Sequence, residues 1–223
     1  LDKSCSGYNF FQKIYEHSLD KKNKKLCIDK TPQNLYAIDS FLRGNCSARA
    51  IVMKRDPRAV LASLINRKIS YKTAVANIAL EINIINSLMK DNTLSKRILF
   101  VDYENLIINP KKVCLEICKF LKINKKYVEC MIERKNSSRK NDIKTLRNTL
   151  LKTWTSNPLK KISDKSLFKW QDELKALPLL HLLASKVSKR ILSPYCKFPK
   201  PIDIGTYLDI NGYSKKIKIK RTK

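Results

Sequence analysis

A chain of 223 residues is long enough to bury a real core, as one large domain or one domain with a tail, and 43% hydrophobic content supports a globular fold. Its formal charge of +28 admits nucleic acid, a membrane surface or a polyanionic small molecule as partners. The charge is mostly lysine dispersed among asparagine and isoleucine, which reads as a solvated surface, and no run of about 18 apolar residues offers a membrane-spanning helix.

In chain order, the spacing predicts a helix over Tyr8 to Leu19 and a lysine-rich loop after it. Leu26 to Asp29 reads as a short apolar strand ending in the polar turn Lys30-Thr31-Pro32, and Pro32 opens a helical pattern through Leu35, Ile38 and Leu42, closed near Gly44. Ala50 to Met53 is a buried strand feeding the charged turn Lys54-Arg55-Asp56-Pro57. There Asp56 is a good N-cap, and Pro57 fits the first helical turn, where its missing N–H costs nothing. Val60, Leu61, Leu64 and Ile65 then share one helical face, with Ser63 on its flank.

A long amphipathic helix is predicted from Tyr71 to Met89, burying Ala74, Val75, Ile78, Ile82, Ile85 and Leu88. Arg97 to Tyr103 reads as another buried strand, Glu104-Asn105-Leu106 as the start of a connection, and the residues after Pro110 as a helix carrying Val113, Ile117, Phe120 and Leu121. Asn136 to Lys140 is a loop, Lys161 to Leu174 a turn and a helix around Phe168 and Trp170, and Leu177 to Leu192 a last apolar helix. Three strand–turn–helix units in series imply an α/β fold, a parallel sheet covered by helices, with ligand groups at the carboxyl ends of the strands. Residues 1–193 form this domain, and the basic stretch 194–223 reads as a poorly ordered tail.

The seven cysteines are odd in number and widely spaced, with no CxxC pair. Cys114 and Cys118 lie one helical turn apart without a second pair at zinc-site spacing, so buried free thiols in a reducing, cytoplasmic compartment are expected, and no metal. Arg55 stands at a strand's carboxyl end beside a helix N-terminus, where amide N–H groups and the helix dipole favour an anion and a guanidinium adds bidentate recognition.

Arg55-Asp56-Pro57 with Ser63 eight positions after the arginine resembles the 3′-phosphate-binding motif of the sulfotransferases that use 3′-phosphoadenosine 5′-phosphosulfate (PAPS). Lys30-Thr31-Pro32, Asp102-Tyr103-Glu104-Asn105-Leu106 with Pro110, the Phe120-Leu121 helix end, and Ser166 to Trp170 with Leu174 agree in order and spacing, so the resemblance covers roughly residues 25–175. It implies a three-layer, P-loop NTPase-like sulfotransferase fold and transfer of a sulfuryl group from PAPS to a hydroxyl or amine of a carbohydrate, peptide or small metabolite. It also implies that Arg55 and Ser63 bind the 3′-phosphate and that Lys30 lies near the sulfuryl group, where an ammonium can stabilise charge spreading over the transferring oxygens. Tyr103, Glu104 and Trp170 are read as structural.

The chain departs from the family's pattern at the 5′-phosphosulfate loop. Gly7 is the one glycine before the Lys30 segment, and Lys3 to Gly7 lacks both a preceding apolar strand and the expected Gly-Ser/Thr type. The expectation is therefore an N-terminally incomplete domain, lacking the first strand and that loop, a domain which recognises the nucleotide without, in this chain alone, turning it over. The histidine that related cytosolic enzymes place after the lysine is Pro32 here, which leaves Asp29, Glu16 and His17 open as general bases; His181 falls in an apolar helix. The alternative to the enzyme is a basic nucleic-acid-binding or scaffold protein that keeps the α/β frame.

Overall fold

The computed structural model describes residues 27–133, 167–183 and 203–213. The expected helix over 8–19, the Lys3–Gly7 segment, Glu16, His17, the loop over 136–140 and the end of the last apolar helix lie outside the described residues. The chain divides into two compact units, Leu1–Val52 with Ile84–Leu99 and Met53–Asn83 with Phe100–Lys223.

In the first unit, Pro32–Ala37 form a 3-10 turn that runs into helix α1, Ile38–Gly44. The expected strand before it does not form: Cys27 to Lys30 have no regular secondary structure, and Ile28 is 72% exposed. The reason is local. The Asp29 carboxylate accepts the Thr31 hydroxyl at 3.1 Å and the Asn34 side-chain amide at 3.0 Å, so side chains supply the pairing that a strand takes from a neighbour. Arg97 closes α1, its Nη1 donating to the carbonyls of Leu42 at 2.5 Å and Asn45 at 2.8 Å. Leu42, Ile84, Leu88, Leu94 and Ile98 are buried in this unit. Asp91 caps the turn beyond the long helix, accepting from the Thr93 N–H at 2.8 Å and the Leu94 N–H at 3.2 Å, and it pairs with Arg43.

Strand β1, Ala50–Lys54, and strand β2, Ile98–Asp102, are hydrogen-bonded parallel neighbours, joined through helices α2, Pro57–Asn66, and α3, Tyr71–Lys90. Both strands arise where β-branched runs predicted them. The long helix also matches its expected span, and all six residues assigned to its inner face are buried. Instead of three strand units, the described residues hold these two strands.

The second unit is built on α2 and the first half of α3. Helix α4, Tyr103–Ile108, starts directly after β2 where a connection was expected, and α5, Pro110–Leu121, follows. Lys122, in the left-handed conformation at φ 56°, closes α5 before α6, Val128–Glu133, packs against it. Cys114 and Cys118 are part of that packing, with Val128, Met131 and Ile132. Burial pushes the Cys114 thiol up from its ordinary pKa. Cys27, Cys46 and Cys130 are exposed, so only part of the expectation of buried thiols holds.

Helix α7, Trp170–Glu173, packs on α2, and α8, Ala176–Leu183, on α9, Ile204–Ile210. Within the stretch 194–223, read as a poorly ordered tail, residues 203–213 are described and hold α9. Ile204, Tyr207, Leu208 and Tyr213 are buried among Leu61, Ala74, Val75, Ile78 and Ile82 in the main core. Asp203 caps the helix by accepting the Thr206 N–H at 2.8 Å. No helix among the described residues is long and apolar enough to cross a membrane.

The Asp91 turn gives a pH-dependent expectation. The Thr93 hydroxyl, with the Thr93 and Leu94 N–H groups and Arg43, holds the Asp91 carboxyl below its ordinary value of 3.8. A folded-state pKa below the unfolded one contributes stability that is complete above the unfolded value and is lost as pH falls through the folded one. In urea titrations between about pH 6 and pH 3, Asp91→Asn should therefore show a shallower acid-side loss of stability than the parent chain. Parallel losses in the two proteins would contradict the assignment.

Candidate functional site

Strand β1 ends at Lys54, and the next two residues turn the chain into α2. That turn is crowded with charge in a buried place: Lys54 is 8% exposed, Asp56 5%, Arg58 4% and Glu104 7%. Such groups persist only when paired and hydrogen-bonded, and the geometry meets that demand. The Arg58 guanidinium grips Asp56 as a fork, Nε to Oδ1 at 2.9 Å and Nη2 to Oδ2 at 2.6 Å, while the Arg58 backbone N–H also donates to Asp56 Oδ1 at 2.9 Å. The Asp56 N–H donates to Glu104 Oε1 at 2.9 Å, tying the turn after β1 to the first residues after β2. Lys54 Nζ pairs with Asp102 Oδ1 at 3.2 Å across the same strand ends.

This arrangement revises how the turn can hold an anion. The Asp56 and Arg58 N–H groups are both taken by carboxylates, and Pro57 has none to give, so fewer amides face an anion at the start of α2 than expected. Side chains therefore carry more of the recognition of a negative group here. Arg55 is half-buried, and its guanidinium lies over the Tyr103 ring at 4.5 Å from the centroid, a cation–π contact that supports the plane of the group. Ser63 is half-buried two turns along α2 from the cap. Arg55 and Ser63 thus belong to one strand–helix junction in the second unit. Lys30 lies in the first unit, exposed, in the irregular stretch before the 3-10 turn, between Asp29 and Thr31.

Trp170 packs on Ala59 and Ala62, and its ring lies 4.3 Å from the Arg58 guanidinium carbon, which agrees with its reading as a packing residue. Beside it a pocket of about 110 Å³ is lined by Asp56, Arg58, Glu104, Ile108, Phe168 and Trp170 among others. Glu104 fits its structural reading more specifically than expected, since it accepts from the Asp56 turn. The sequence reading missed Arg58 and Lys54. An available signal for Arg58 was the spacing Asp56-Pro57-Arg58, which returns an arginine to the capping carboxylate at the start of a helix. Among the described residues no group of histidines, cysteines and carboxylates could hold a metal ion.

Residues 5–127, more than half of the chain, match a family model described as "Sulfotransferase family", and the chain belongs to that family. No curated protein sequence matches it. Among solved structures it is similar to the sulfotransferase domain from the Synechococcus PCC 7002 olefin synthase, at 23% identity and a TM-score of 0.56, over 76% of this chain and 61% of that one. It is also similar to the sulfotransferase domain from the curacin biosynthetic pathway, at 17% identity and a TM-score of 0.53, over 76% and 65% of the two chains. At these identities the likeness is one of fold, the α/β sulfotransferase fold. The chain spans less than two thirds of the length of either domain.

The Glu104 contact generates a stability test. Glu104→Ala removes the acceptor of a buried N–H and should cost about 1–3 kcal/mol in urea unfolding. Glu104→Gln keeps an oxygen for the same N–H and should cost less; equal losses would show that the hydrogen bond is not the reason for the effect.

Proposed function

We propose that the chain acts as a PAPS-dependent sulfotransferase, moving a sulfuryl group to a hydroxyl or amine of a carbohydrate, peptide or small metabolite, and that the turn at Arg55 recognises the 3′-phosphate of the nucleotide. The observation that carries this reading is the turn itself. Within it the Arg55 guanidinium is half-buried and braced over the Tyr103 ring, beside the ion pairs of Arg58 with Asp56 and Lys54 with Asp102. A planar fork of donors suits a phosphate better than a point charge does. Ser63, on the helix that starts at this turn, would add a hydroxyl donor. The donor set therefore fits the phosphate of such a nucleotide, and the family match supports the same chemistry.

PAPS, when bound, would supply the sulfuryl group. Lys30 is assigned the role of stabilising negative charge on the transferring oxygens, by the resemblance of Lys30-Thr31-Pro32 to the family's lysine segment. Dispersed lysines leave nucleic-acid binding as the reading to be tested against. It predicts affinities that collapse with salt and do not depend on the 3′-phosphate.

Calorimetric titration of the full chain with 3′-phosphoadenosine 5′-phosphate (PAP), AMP and a DNA oligomer separates the two. PAP should bind more tightly than AMP, and Arg55→Ala should weaken PAP by about tenfold or more, the worth of one charge-assisted contact, with little effect on AMP. Ser63→Ala should act in the same sense and less strongly, since a hydroxyl donor is neutral. Equal, salt-labile binding of all three ligands would refute the enzyme reading.

A further inference from the structure

Two buried cations flank the Arg55-Asp56 pair in the chain, and both reach the same distant segment. Lys54 Nζ donates to Asn211 Oδ1 at 3.0 Å, and Arg58 Nη2 donates to the Tyr213 carbonyl at 3.1 Å, contacts that span 157 and 155 residues of sequence. The segment that meets them is itself tightly specified. Helix α9 ends in a Schellman turn: Gly212 takes φ +70°, its N–H donates to the Asp209 carbonyl at 3.1 Å, and the Tyr213 N–H donates to the Leu208 carbonyl at 2.8 Å. Leu208 and Tyr213, the residues that such a turn brings together, are both buried in the main core. Asn211 is anchored in turn, its Nδ2 donating to the Tyr207 carbonyl at 2.9 Å.

We propose that Asn211, Gly212 and Tyr213 form a positioning strap for the anion-binding turn, and that by fixing Lys54 and Arg58 they set the direction in which Arg55 presents its guanidinium. The strap therefore contributes to the site's preference for a nucleotide that carries a 3′-phosphate. This inference rests on the reading of Arg55 as the 3′-phosphate ligand. Three cations, Lys54, Arg55 and Arg58, share a small volume with the carboxylates Asp56, Asp102 and Glu104, and each buried cation seeks every acceptor within reach. The strap gives Lys54 and Arg58 neutral acceptors on the side facing the core. Without those acceptors Lys54 is held by Asp102 and Arg58 by Asp56 and the Trp170 ring, and the short segment between them gains freedom to re-sort its pairings. A neutral oxygen fixes a cation's direction without neutralising its charge, so the strap orders the turn and leaves its balance of charge unchanged.

The test uses two variants of the full chain and two readouts. Asn211→Ala removes the acceptor of Lys54. Gly212→Ala leaves every acceptor in place but puts a side chain at φ +70°, with no atom within 4 Å of the new Cβ, so it strains the turn without a clash. Calorimetry well below the melting temperature should show PAP affinity falling by about tenfold in each variant and AMP affinity changing by less than about twofold, the scale of one hydrogen bond to a charged group. A lower melting temperature with an unchanged PAP-to-AMP ratio in both variants would overturn the strap and leave the 3′-phosphate reading standing. A parent chain that shows no preference for PAP over AMP would overturn both.

Discussion

The buried fork between Arg58 and Asp56 is the interaction on which the rest of the site depends. A strand that ends inside a protein and must at once start a helix leaves polar groups where water cannot reach them. Asp56 meets that constraint three ways: its side chain caps α2, neutralises Arg58, and its N–H is handed to Glu104 from the other strand end. Breaking a buried pair of this kind by removing one partner costs about 3–5 kcal/mol, because the other charge is stranded. The turn therefore has one well-defined shape, and Arg55, which sits inside it, inherits that definition. Tyr103 adds a second support, since the residue that braces Arg55 is the neighbour of the residue that holds Asp56.

The same constraint explains why the main core reaches so far along the chain. Tyr207 and Tyr213 are buried beside the carboxylates of the turn, and their phenols are pushed well up from the ordinary value, first by burial and then by those neighbouring charges. Both phenols therefore remain neutral across the physiological range. The aromatic residues of α9 and its terminal turn thus wall the charged turn on one side, and Trp170 covers Arg58 on another. A charged turn closed in by apolar walls strengthens every interaction made inside it, which suits a site proposed to recognise a phosphate.

What could be read from the sequence depended on how local its cause was. The span of α3 followed from the spacing of its isoleucines, and β1 and β2 from short β-branched runs, because each pattern is complete within one element. Asp56 and Pro57 announced the start of α2 for the same reason, and Arg55 became a candidate by its place beside them. The strand expected over residues 26–29 failed because three apolar residues do not outweigh a local alternative, here the Asp29 side-chain bonds to Thr31 and Asn34. Helix α9 was hidden by the Pro, Gly and Lys content around it, although Asp203, followed by Ile204, Tyr207 and Leu208 at helical spacing, carries both a cap and an apolar face. The distant partners of Lys54, Asp56 and Arg58 could not be read at all, since Asn211, Glu104 and Tyr213 lie 48 to 157 residues away and only the fold brings them to the turn.

The most direct measurement of the central claim follows the two phosphates of PAP separately by ³¹P NMR as the nucleotide is titrated into the chain. A 3′-phosphate held by Arg55 is stabilised in its fully ionised form, so its resonance should titrate at lower pH in the complex than in free PAP, as an anion beside a guanidinium does. A 3′-phosphate resonance that titrates in the complex as it does in free solution, in a sample where binding is saturated, would contradict the account.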